Sequence, residues 1–160
     1  MDKLAQLGAL VALLGLVLAF VGLFPGTLGL DPTPGIGVLQ IGMILLGFGL
    51  LDWGAYIYAK ATWFRGKPYT LGQTIAIRLT LTGLLLAAAA GLADLLGFGT
   101  HDAPNAGPFL GPLQAAGMVA GIVVSMLAVV LFVLAGSFTD EEGGEQDNKS
   151  APPVEQPPDR

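Results

Sequence analysis

The sequence predicts an all-α integral membrane protein, with four transmembrane helices arranged as two hairpins and followed by a disordered acidic C-terminal tail. Three observations carry this prediction. The chain has 160 residues, 53% of them hydrophobic and only 12% charged, at a mean hydropathy of +0.70, which is too apolar to keep a soluble domain's surface wet. Apolar runs at about 4–24, 36–59, 71–96 and 113–138 each reach the roughly 20 residues needed to cross a hydrocarbon core of about 30 Å. All eleven prolines fall outside those runs, where a residue lacking an amide proton does least harm.

The first run begins after Lys3. It is longer than the apolar core of a secretory leader, and Phe24-Pro25-Gly26-Thr27 offers no small-x-small cleavage site, so it is read as a retained helix. The second and third runs are joined by the segment that holds Lys60, Arg65 and Lys67. The joints at 25–35 and 97–112 contain neither Lys nor Arg. By the positive-inside rule both termini and the 60–70 joint are expected to be cytoplasmic, in a prokaryotic inner membrane. Trp53, Tyr56, Tyr58, Trp63, Phe64 and Tyr69 gather around the same joint, as an interfacial aromatic belt does. Pro112 suits the first turn of the fourth helix.

Residues 1–138 form the transmembrane domain and 139–160 the tail. Beyond Phe138 there is no aromatic residue, and Asp140, Glu141, Glu142, Glu145, Asp147, Glu155 and Asp159 face only Lys149 and Arg160. The tail therefore carries the whole net charge of −5, and its composition predicts disorder. Acids and bases balance before it, which leaves no basic field for nucleic acid. With no cysteine and one histidine, the chain has no thiolate nucleophile, no iron–sulfur or zinc–cysteine site and no bis-histidine haem site. No cofactor and no catalytic residue is expected. Gly66-Lys67-Pro68 lacks the flanking residues of a phosphate-binding loop, and the glycines of 42–54 lie inside an apolar helix without the strand–turn–helix context of a dinucleotide fold.

Three patterns remain as candidates. Ala5, Gly8, Ala12, Gly15, Ala19 and Gly22 alternate in steps of three and four, a seam of small residues that lets backbones approach closely. Helix 2 offers Gly35, Gly42 and Gly49, helix 3 Ala76, Gly83 and Ala90, and helix 4 Gly117, Gly121 and Ser125. Packing within the bundle is the favoured use. Docking of another subunit or a second copy through helix 1 is the alternative.

The second pattern is a pair of intramembrane charges, Asp52 and Arg78, at matching depth in a hairpin centred near Arg65. A lone charge in hydrocarbon costs a few kcal/mol, so an ion pair fixing the register of helices 2 and 3 is expected, or else a substrate- or ion-handling site. The third is an outer polar group of Gln40, Asp94, His101 and Asp102, with Asp31 and Gln114 nearby, read as solvated joint residues without metal-ligand spacing.

A weak repeat pairs Phe24, Pro34, Gly37, Leu39, Gln40 and Gly47 with residues 74 positions later. The abundance of Gly, Pro and Leu makes chance the favoured account. From size, small-residue seams and short joints, the expected function is that of a non-enzymatic accessory, assembly or scaffold subunit of a larger membrane complex. The alternative is a small ion or solute transporter or channel that uses Asp52 and Arg78.

Overall fold

A computed structural model describes residues 3–29, 37–93, 96–97 and 111–150, with backbone alone for 28 and 139–150. Its regular elements are all helices, and the described residues contain no strand. The elements are α1 (Lys3–Leu23), a short 3-10 turn (Pro25–Leu28), α2 (Val38–Thr62), α3 (Leu71–Gly91) and α4 (Pro112–Ser150). Among the described residues four stretches are long and apolar enough to cross a membrane: Lys3–Leu23, Val38–Thr62, Leu71–Gly91 and Pro112–Phe138, at mean hydropathies of 2.5, 1.6, 1.6 and 2.9.

Local chemistry sets the helix ends. Thr70 starts α3 with a complete capping box. Its hydroxyl accepts from the Gln73 N–H at 3.1 Å, and its own N–H donates to Gln73 Oε1 at 3.2 Å. The expected third helix ran to 96, but α3 stops at Gly91, where the Leu92 and Ala93 N–H groups turn back to the carbonyls of Ala88 and Ala90. At the start of α4, the Gly111 N–H donates to Gln114 Oε1 at 2.9 Å. Gly37-Val38-Leu39-Gln40 occupies the matching place at the start of α2, with Gly37 as its N-cap. In the second Gly-x-Leu-Gln the glutamine thus reaches back over the helix start.

Composition predicts disorder from 139, whereas the backbone of α4 stays helical through Ser150. Extending an existing helix adds one hydrogen bond per residue without a new nucleus, and no proline intervenes before Pro152. The remainder of the tail, 151–160, lies outside the described residues.

Packing is strongest between α1 and α2 and between α3 and α4. Both pairs run antiparallel. Gly8 lies by Tyr58 and Gly54, Gly15 by Leu51 and Gly47, and Gly22 by Ile44, so α1 ascends as α2 descends. In the other pair Gly83 meets Gly121 and Ser125, while Gly91 meets Met118. The buried positions of α3 (Gln73, Ala76, Thr80, Gly83, Ala87, Gly91) and of α4 (Met118, Gly121, Ser125, Ala128, Phe132, Gly136) follow steps of three and four, so two nearly matched seams face each other.

The small-residue seam of α1 faces α2: Ala5, Gly8, Gly15, Ala19 and Gly22 are buried and Ala12 is half-buried. The α2 glycines that meet it are Gly47 and Gly54, not the expected Gly35, Gly42 and Gly49. Gly42 is exposed with open space around it, Gly49 borders a cleft, and Gly35 lies outside the described residues. Both sets repeat every seven residues, so spacing alone cannot choose between them. Two positions correspond to about 200° around a helix, and the two sets therefore sit on opposite faces. Leucines such as Leu7, Leu10, Leu14 and Leu85 point outward, on the outer faces of helices apolar enough to cross a membrane.

Candidate functional site

Two apolar clusters occupy the core. One is built on Ile41, Ile44, Ala87 and Met118, and the other, by the 63–70 joint, on Ala59, Phe64, Ala76 and Phe132. Phe132 is the centre of the second, with Tyr56 edge-on at 4.8 Å between ring centroids and Phe64 edge-on at 6.2 Å.

Between these clusters lies a polar layer that joins α2 to α3 and α4. Asp52 is buried, and the Ser125 hydroxyl of α4 donates to its Oδ2. One turn further along α2, the Tyr56 and Thr80 hydroxyls share a hydrogen bond. Tyr56 Oη also reaches the Ala76 carbonyl at 3.4 Å, and Thr80 Oγ1 the Ser125 carbonyl at 3.4 Å. Because α2 otherwise packs little against α3 and α4, the bonds of Asp52 and Tyr56 are prominent ties between the α1–α2 and α3–α4 pairs. A buried carboxylate tolerates such a place only when it is hydrogen-bonded, and Ser125 meets that need.

The structure does not bring Asp52 and Arg78 together. Arg78 is exposed, two residues from Ala76 and two from Thr80, both of which are buried. A two-residue step turns the helix to its far side, so a base at 78 points away from the seam that holds Thr80. Matching depth along a hairpin carries no information about the face on which a residue lies. The missed member of the layer is Thr80, and its signal was the spacing Ala76–Thr80–Gly83–Ala87, the same three-and-four rhythm that marked α1.

Beside this layer a cleft of about 450 Å³ opens between α2 and α3 and runs toward the joint. Asp52 and Thr80 border its deep part, Ile57, Ile77 and Leu84 its walls, and Lys60 and Arg65 its mouth. Lys60 Nζ donates to the Lys67 carbonyl at 2.6 Å and stands 4.1 Å from the centroid of the Tyr69 ring, so its charge is held in place at the opening.

Of the outer polar group only Gln40 is described, half-buried near the start of α2. Asp94, His101 and Asp102, with Asp31, lie outside the described residues. Among the described residues no three His, Cys, Asp or Glu side chains converge as metal ligands would.

Comparison with protein-family models, with curated proteins and with solved structures finds no match for this chain. The fold itself defines the class: the regular elements of the described residues are all helices, four of them long and apolar enough to span a membrane.

Proposed function

We propose that the chain is a small integral membrane protein of a prokaryotic plasma membrane, built as two helical hairpins. It serves as a non-enzymatic accessory or assembly subunit of a larger membrane complex. The observation that carries this reading is the use to which the interior polar groups are put. Asp52 is only 3% exposed and engaged by Ser125, and Tyr56 and Thr80 bond each other, so the polar atoms of these side chains are spent on joining helices, and the cleft they border is lined mainly by apolar residues. Native mass measurement of the protein extracted from its own membrane in mild detergent tests the proposal. Recovery at fixed stoichiometry with other subunits is expected. Recovery alone or as a homo-oligomer would overturn it.

The bases around the 60–70 joint support an orientation with that joint and both termini cytoplasmic. The chain has no cysteine of its own, so single introduced thiols report topology cleanly. Pro68→Cys is expected to react with a membrane-impermeant maleimide only after the membrane is opened, and Gly26→Cys in intact cells. The reverse pattern would invert the orientation.

A second reading, a small transporter or channel, draws on the cleft that reaches Asp52 and Thr80. Asp52→Asn would then stop flux while leaving assembly intact. In the accessory-subunit reading the same change lowers assembly or folding.

A further inference from the structure

We propose that the cleft between α2 and α3 is a binding site for an anionic phospholipid, with one acyl chain in the cleft and the phosphate at Lys60 and Arg65. Three features on the same side of the bundle support this. The cleft is bounded by Gly49 at its deep end and Lys60 at its mouth. Eleven residues of helix span about 16 Å, close to the depth of one leaflet, half of a hydrocarbon core of about 30 Å. Its walls offer Ile57, Ile77, Leu81 and Leu84 to a chain, while Asp52 is only 3% exposed and turned to Ser125. α2 and α3 touch each other far less than either touches its main partner, so the cleft has no tight seam to bar a chain from the surrounding lipid.

The second feature is charge. The mouth carries Lys60 and Arg65, with Lys67 close by through its carbonyl bond to Lys60. A lysine has three donors, and only one N–H of Lys60 is taken by that carbonyl. Basic pockets between transmembrane helices on the cytoplasmic side suit anionic headgroups, and that leaflet is where such lipids create the negative surface potential. The third feature is shape. A Cβ at Gly49 would meet only Leu84 Cδ1, at 3.9 Å, although Gly47 and Gly54 on the same helix are pressed against α1 backbone. Gly49 thus leaves room in the cleft and is not needed for helix contact.

The inference rests on the membrane placement proposed above but not on any partner subunit. In symmetric vesicles it is also independent of orientation, so its failure is distinct from theirs. The test uses the two tryptophans of the chain. Trp53 borders the cleft, whereas Trp63 stacks edge-on with Tyr58 outside it. Trp63→Phe leaves Trp53 as the sole reporter. The full chain is reconstituted in phosphatidylcholine vesicles that contain a minor fraction of lipid with brominated acyl chains, which quench tryptophan on contact.

Brominated phosphatidylglycerol is expected to quench Trp53 more strongly than brominated phosphatidylcholine at equal fraction. Lys60→Gln should lower that preference about fivefold, the equivalent of about 1 kcal/mol per base. Arg65→Gln provides the same reading if the first variant folds poorly. Gly49→Leu, which fills the cleft, should remove the preference without loss of thermal stability. Arg78→Gln, which removes a base from the far side of α3, should leave it unchanged. Equal quenching by the two lipids overturns the proposal. So does a preference that survives both Lys60→Gln and Gly49→Leu, or one that falls as far with Arg78→Gln as with Lys60→Gln.

Discussion

Gly15→Val is expected to leave little folded protein, with a loss of about 3 kcal/mol or more. Gly42→Val should stay within about 0.5 kcal/mol of the parent. Both replace a glycine inside a helix, so propensity contributes equally to each and cancels in the comparison. What differs is the neighbour. A Cβ at Gly15 would collide with the Leu51 amide nitrogen and meet the Gly47 carbonyl oxygen at 2.6 Å, and main-chain atoms cannot rotate out of the way. A Cβ at Gly42 meets nothing within 4 Å. To accept valine at 15, α1 must move away from α2 and lose close contact along the seam that runs from Gly8 to Gly22. In lipid that loss has no hydrophobic compensation, because helix association there depends on close packing. Thermal unfolding in mild detergent, with recovered yield, measures the difference. Equal midpoints for the two variants would show that the α1 seam does not hold the bundle.

The same pair of glycines illustrates what could be read from sequence and what could not. Hydropathy and proline placement were enough for four helices, because both report directly on what hydrocarbon tolerates. The seam of α1 was visible as well, since six small residues in alternating steps leave no doubt about the face. On α2, Gly42–Gly49 and Gly47–Gly54 are equally good seven-residue repeats, and only the partner decides between them. Asp52 could be singled out as a buried acid, because charge inside an apolar run demands a partner. Depth points to Arg78 as that partner but carries no information about rotation, and the donor is Ser125, two helices along the chain and 73 residues away. The cleft had no sequence signal of its own. It arises from two helix pairs that meet loosely, which is a property of their assembly rather than of any one segment.

Ser125→Ala is expected to cost about 2 kcal/mol, the cost of leaving a buried carboxylate without its hydrogen bond. Ser137→Ala should change stability by no more than about 0.5 kcal/mol, because that hydroxyl is exposed and bonds the Val133 carbonyl of its own helix at 3.1 Å. The stronger test is a cycle with Asp52→Leu. If the carboxylate and hydroxyl are one tie between the helix pairs, the double variant Asp52→Leu with Ser125→Ala loses less than the two single changes together, because removing both partners strands neither. A coupling of about 1 kcal/mol or more is expected, read from unfolding midpoints in the same detergent. Additive losses would mean that Asp52 is held by other contacts, and the polar layer would then cease to be the link between α2 and α4. A positive coupling, together with unchanged helix content, would identify Asp52 as the residue that sets how the α3–α4 pair docks on α2. It would also explain why an acid is kept inside an otherwise apolar helix.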